Sequence, residues 1–150
     1  MRQVARAFVR NSEWKYLLTK HSGKNVWVLP GGHLEGKESI FKCVKRELKE
    51  EFNLEIKIIW NKIWLESEKI IKEYPAPLCS YKIEFESKKH WTQKRLEYIF
   101  LSEIKNDLSD IIVQESEIWE YKFFSLEEII NLENTFDQIK ELAEYLKNAK

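Results

Sequence analysis

Glu47, Glu50 and Glu51 crowd the stretch Arg46-Glu47-Leu48-Lys49-Glu50-Glu51-Phe52. The spacing of Ile40, Phe41, Val44, Leu48 and Phe52 predicts a helix over 39–52 with those residues on its core face. At about 100° per residue, Lys42, Lys45 and Lys49 take the opposite, solvated arc. The glutamates gather at the edge of the apolar arc, with Glu51 leaning into it. Glu47 with Glu51, and Glu47 with Glu50, are like-charge neighbours, each pair costing about 0.2–0.5 kcal/mol on an isolated helix. The C-terminal end of a helix also disfavours anions. Arg46 is placed to relieve Glu50 alone, and in part. A solvated glutamate-rich helix is the plainer explanation in a chain that is one-third charged. The segregation of the acids from the lysines speaks against it. A divalent cation turns the repulsion into coordination, because hard cations such as Mg²⁺ take carboxylate and phosphate oxygens.

The segment before the helix, Leu29-Pro30-Gly31-Gly32-His33-Leu34-Glu35-Gly36-Lys37-Glu38, holds three of the chain's four glycines. Gly31 and Gly32 allow the backbone to approach a ligand closely. Gly36 lets the chain turn again, and the following helix N-terminus favours phosphate. Taken alone, a Pro-Gly-Gly sequence is a tight turn.

Loop and helix together form a longer pattern: Gly32, five residues, Glu38, seven residues, then Arg46-Glu47-Leu48-Lys49-Glu50-Glu51-Phe52-Asn53-Leu54. It resembles the Nudix box, G-x5-E-x7-R-E-U-x-E-E-x-G-U with U aliphatic. Trp27-Val28-Leu29-Pro30-Gly31-Gly32 is similar to the usual approach to that box, and Phe123-Phe124-Ser125-Leu126-Glu127-Glu128 to the family's last strand and following helix. One position departs: the box's last glycine is Asn53. Asn is the next-best residue for the left-handed conformation after a helix, so the helix end and the activity are expected to survive.

The resemblance implies a Nudix-type α/β/α sandwich, a mixed β-sheet with helices on both faces, as a single domain over 1–150. It implies hydrolysis of a nucleoside diphosphate linked to another group X, with Mg²⁺ or Mn²⁺. Glu50 and Glu51 would be metal ligands, joined by the Gly31 carbonyl. Glu47 would be a further ligand or the base that activates water. Arg46 would hold a glutamate by a charge-assisted hydrogen bond, and Glu38 would brace the loop–helix junction beside Gly32. A late acid often completes such sites. Glu115 and Glu117 are the candidates, Glu117 having the better offset from Phe123. His33 is a weak candidate.

The expected substrate is a small nucleotide, such as a nucleoside triphosphate, including an oxidised one, with Trp14, Trp27 or Tyr74 available to stack on the base. Leu17-Leu18-Thr19-Lys20 matches only part of a coenzyme A motif. A nucleotide sensor without turnover is the alternative. Such modules typically lose box glutamates, and this chain keeps them all.

The elements that must position these residues are legible as alternations. Strands are expected at Val4–Val9, at Trp14–Leu18 as its hairpin partner, and at Val26–Leu29. One long strand or two short ones are expected between Leu54 and Leu65. Tyr81–Phe85, Leu96–Leu101 and Ile118–Phe124 complete the set. Glu66–Pro77 reads as a surface loop. Ser125 opens a short helix with a capping box. Thr135 opens another, carrying Phe136, Ile139, Leu142, Ala143 and Leu146 on its core face.

Lys plus Arg equals Asp plus Glu at 25 each, which argues against a polynucleotide or RNA-end partner. No apolar run suggests a leader or a membrane span. Cys43 and Cys79 fit no metal or redox spacing and read as small core residues. The expected setting is cytoplasmic and reducing, for a monomer or homodimer.

Overall fold

A computed structural model describes residues 1–59, 61–86 and 92–149. Strands β1 (Arg2–Arg10), β2 (Tyr16–His21) and β3 (Gly31–His33) precede helix α1 (Ile40–Phe52). Then come β4 (Ile56–Ile58), β5 (Cys79–Glu86), β6 (Thr92–Ile104) and β7 (Ile118–Phe124). Helices α2 (Leu126–Ile130) and α3 (Asp137–Asn148) close the chain. The sheet runs β4-β6-β1-β2-β7, with β3 added to β1 and β5 to β6. β1 and β6 pair in parallel and the other named pairs are antiparallel. The sheet is therefore mixed, as expected.

Alternation along β1 sorts side chains to two faces. Ala5, Ala7 and Val9 pack with Val44, Leu48 and Phe52 of α1. Phe8 packs with Ile129 of α2 and with Ile139, Ala143 and Leu146 of α3. Helices thus cover both faces. The hairpin turn is built by Asn11, whose Oδ1 accepts from the amides of Glu13 and Lys15, both at 3.0 Å.

Three expectations need correction. Val26–Leu29 is not a ladder strand: Val28 bridges Thr19 on one side and Trp27 bridges Thr135 on the other, so the segment is tied by single bridges to two neighbours. The regular strand begins at Gly31 instead. Of Leu54–Leu65, only Ile56–Ile58 pairs, against the end of β6; Trp60 lies outside the described residues. Finally, Thr135 does not cap α3. Its hydroxyl donates to the Trp27 carbonyl at 2.7 Å, Phe136 takes the capping position without a side-chain bond, and the Phe136 ring is 45% exposed rather than in the core.

Cys43 is buried in the core and Cys79 half-buried, both as free thiols. Among the described residues no helix is long and apolar enough to cross a membrane.

Candidate active site

α1 begins at Ser39, whose hydroxyl accepts from the Lys42 amide at 3.2 Å. It ends at Asn53, which is left-handed at φ 55° and ψ 34°. The Asn53 amide bonds to Lys49 O at 3.0 Å. Asn53 also adds a bond glycine cannot make: its side-chain Nδ2 donates to the Asp110 carbonyl at 2.9 Å.

Gly31 meets β1, and Gly32 meets the helix, where no side chain fits. Gly31 has φ 145°, and a Cβ there would fall 2.1 Å from Ala5 O. A Cβ on Gly32 would fall 2.5 Å from Glu47 Cδ. The Glu47 carboxyl thus lies directly on the Gly-Gly backbone. The Cys43 thiol donates to the Gly32 carbonyl at 3.4 Å, and burial pushes its pKa up to about 12.

Arg46 does far more than relieve Glu50. Its Nη2 and Nε grip Glu38 at 2.7 and 3.0 Å. Its Nη1 reaches Glu47 at 3.0 Å and Glu50 at 3.1 Å, with Glu35 at 3.7 Å. Nη2 also donates to His33 O at 3.1 Å. The Arg46 hydrogen bonds hold the Glu38 carboxyl down at about 2. Glu38 in turn accepts from the Glu35 amide at 3.0 Å, so it joins loop to helix. The repulsion expected between Glu47 and Glu50 is mostly neutralised by this one guanidinium. With both carboxylates drawn to Arg46, no three acidic, imidazole or thiol groups among the described residues close around an ion-sized point.

The least relieved acid is Glu51, whose Oε2 has His21 Nδ1 at 4.0 Å and whose charge Arg6 offsets only in part. Its side chain is 2% exposed, and its Oε1 is buried without a hydrogen-bond partner among the described residues. Burial first, then Glu47 and Glu117, push its pKa up to about 8. Burial likewise raises Glu47.

Glu117 arrives from the far end of the chain because its loop is pinned at both ends. Gln114 N donates to Glu51 O at 2.8 Å, and Ser22 N to Glu117 O at 2.9 Å. Gly31, Gly32, Glu47, Glu51 and Glu117 line one cleft; Glu50, 53% exposed and held by Arg46, and Glu115 are not among its lining residues. A buried orphan carboxylate oxygen in a cleft shared with two further carboxylates supplies hard oxygens of the kind a divalent cation takes, although the three do not close around one point.

Cations line the same cleft, beyond the residues the box pattern names. Arg6, Lys24 and Arg95 line this cleft and an adjoining one of about 340 Å³, where Phe85 and Phe136 supply the aromatic surface. Arg6 sits on β1 between Val4 and Phe8 and donates to Leu29 O at 3.0 Å. The buried Glu97 anchors it at 3.6 Å, and also accepts from Arg95 at 2.6 Å and Tyr81 Oη at 2.9 Å. Burial lowers the Arg6 pKa, opposed by Glu97. Burial, with Arg6 and Lys24, lowers that of His21. A sequence signal existed: Arg6 and Glu97 each interrupt the core-facing positions of an apolar strand.

Trp14, Trp27 and Tyr74 lie outside both clefts. Trp14 lies in the hairpin turn under Arg10 at 3.8 Å. Trp27 is buried, edge-on to Phe124 at 5.0 Å. Tyr74 stacks on Phe41 at 4.6 Å.

A sequence model of the NUDIX domain matches residues 1–146. Nudix hydrolase 5 of Arabidopsis thaliana is 26% identical over 130 residues; these cover 83% of this chain and 36% of that protein, so the chain spans about a third of its relative's length. Among solved structures, the MutT protein from Methanosarcina mazei Go1 superposes with a TM-score of 0.67 at 21% identity, covering 99% of this chain and 96% of that one. A NUDIX-family hydrolase from Clostridium perfringens gives 0.69 at 19% identity, covering 96% and 97%. A C. elegans Ap4A hydrolase gives 0.69 at 19% identity, covering 98% and 96%. At such identities the solved structures speak for the fold alone, and the match spanning 1–146 assigns the rest: this chain belongs to the NUDIX domain family.

Proposed function

We propose that the protein is a metal-dependent hydrolase cleaving the diphosphate bridge of a small nucleotide, with nucleoside triphosphates, including oxidised ones, as first candidates. The observation that carries this reading is the partnerless, buried Glu51 Oε1 in a cleft that Arg6, Lys24 and Arg95 also line. The acids suit a cation and the bases a polyanion. Glu51, Glu47 and the Gly31 carbonyl would hold Mg²⁺ or Mn²⁺, with Glu50 joining once released from Arg46. Bound there, the ion supplies neutralisation of the bridge and a more acidic water.

The chain's own groups do the remainder. Arg6 and Arg95, fixed by Glu97, orient the phosphates. Phe85 and Phe136 offer faces for the base. Glu117 accepts the proton of the attacking water: it lines the cleft, and it takes part in no ion pair among the described residues. The water oxygen bonds to one phosphorus, the bridging P–O bond breaks, and the leaving phosphate takes the bonding electrons. Glu47, tied to Arg46, serves better as a ligand than as the base.

The test is a panel of nucleotides with Mg²⁺ or Mn²⁺, for wild type, Glu51→Gln and Glu117→Gln. Glu51→Gln should weaken cation binding and lower kcat/KM by more than about 100-fold, the upper range for losing a mere supporting residue. Glu117→Gln should lower kcat while leaving cation affinity unchanged. Tight nucleotide binding without turnover by the wild type would instead establish a sensor, and wild-type turnover in both variants would remove the metal and base assignments.

A further inference from the structure

Away from the acidic cleft, and sharing no lining residue with it, lies a second cavity of about 260 Å³. Lysines far apart in sequence converge on it. Lys45 comes from α1, Lys57 from β4, Lys62 and Lys72 from the connection between β4 and β5, and Lys105 from just beyond β6. Phe41, Ile56, Ile58, Tyr74 and Pro75 form the rest of the wall, with no carboxylate among the lining residues.

In a chain with equal numbers of acids and bases, such a gathering needs a reason. Four lysines elsewhere find acids, Lys20 with Glu120, Lys49 with Glu55, Lys94 with Glu84, and Lys147 with Glu127, so what sets the cavity apart is five ammonium groups converging on one concavity. Among the described residues none of the five cavity lysines is ion-paired to a carboxylate. The acids nearest in sequence make their closest bonds elsewhere, although Glu103 stands opposite Lys57 in the sheet and Glu73 feels Lys62. Glu73 accepts from the amides of Ile63 and Leu65, both at 2.7 Å. Glu55 faces Lys49 at 3.8 Å, and Glu103 faces Arg10 at 3.4 Å. The aromatic wall is stiff, with Tyr74 stacked on Phe41 at 4.6 Å and the Lys72 ammonium 4.8 Å above the Tyr74 ring. The ammonium groups also feel one another: burial, then Lys72 and Lys105, lower the Lys45 pKa.

We propose that this lysine-lined cavity is a second binding site, for a small multiply phosphorylated anion, separate from the acidic cleft. A compact polyanion relieves the mutual repulsion of several ammonium groups at once, and a concave, partly apolar wall strengthens each attraction relative to open water. The small cavity suits an oligophosphate better than a folded acidic partner. Lysine ammoniums recognise phosphate as point charges without demanding one geometry. The site requires no divalent ion, in contrast to the acidic cleft. It stands on none of the catalytic assignments above.

The probe is inorganic tripolyphosphate, titrated calorimetrically in excess chelator so that no divalent ion bridges it to the acidic cleft. Wild type should bind it with an affinity that falls steeply with salt. Lys45→Gln/Lys72→Gln/Lys105→Gln should weaken binding by about tenfold or more, with a melting temperature equal to or above wild type because like-charge repulsion is removed. Lys140→Gln, on α3 and lining neither cleft, should bind as wild type does. A complementary measurement uses the unaltered protein. Tripolyphosphate should protect Lys45, Lys57, Lys62, Lys72 and Lys105 from amine acetylation, read by mass spectrometry, and leave Lys140 unprotected. Absence of binding by wild type, unchanged affinity in the triple variant, affinity lost equally in Lys140→Gln, or protection that does not favour the cavity lysines would each overturn the proposal.

Discussion

At the scale of single residues, the site is governed by two charges in opposite circumstances. Arg46 is surrounded by carboxylates, and Glu38 beside it is held at about 2. Glu51 is enclosed, partnerless at Oε1 and pushed up to about 8. A carboxyl whose folded pKa lies above its unfolded value binds more protons in the native state. Its ionisation therefore subtracts stability progressively as pH rises from the unfolded value near 4.5 to the folded value near 8. The metal-free protein should accordingly lose melting temperature across that window, and Glu51→Gln should flatten the loss. Thermal melts in chelator between pH 5 and 8.5 check this, and parallel slopes for the two proteins would contradict it. Glu38 acts with the opposite sign: its contribution is present above its unfolded value and disappears as pH falls toward 2.

At the scale of elements, α1 is a carrier with both ends fastened. Ser39 caps its start and Asn53 its end, while the Glu51 carbonyl receives the loop that delivers Glu117. Asn53 stands where the family's box has glycine. It meets the small cost of a left-handed residue with the bond to Asp110 O, worth about 1 kcal/mol. Asn53→Gly should thus be nearly neutral. Asn53→Ala, which has the strain without the bond, should cost about 1–2 kcal/mol, measured by urea unfolding. A larger loss for Gly than for Ala would refute this account of the cap. β3 is the other decisive element: it carries Gly31 so close to β1 that a Cβ would strike Ala5 O, which is why the loop and the helix face each other at all.

At the scale of the whole molecule, the cleft is a meeting of β1, β3, α1, β6 and the β7 approach, held by one buried anion. Glu97 binds Arg6, Arg95 and Tyr81 across β1, β5 and β6. Its removal leaves buried guanidinium charge uncompensated, which typically costs about 3–5 kcal/mol. Glu97→Leu should therefore lower global stability by an amount of that order. It should also raise KM for nucleotide more than it alters cation binding, since it frees the arginine wall and spares the acidic one. Denaturant melts with paired nucleotide and Mn²⁺ titrations separate these effects, and a stable variant with unchanged KM would break the link.

What the sequence determined by itself was local. The spacing of Ile40, Val44, Leu48 and Phe52 fixed which face of α1 is buried, hence that Glu51 turns inward. The Ser125 capping box and the left-handed Asn53 were legible because caps depend on residues a few positions apart. The box pattern itself disclosed the family. Tertiary structure alone decided the partners. It gave Arg46 four carboxylates instead of one, because Glu35 and Glu38 fold back over the helix from a loop whose path no periodicity specifies. It turned Thr135 to Trp27, left Phe136 in the cavity adjoining the cleft, and drew Lys45, Lys57 and Lys105 to one cavity. Periodicity reports which side of an element faces inward. Which distant side chain lies opposite depends on strand order and register, and those are set by the packing of the whole sheet.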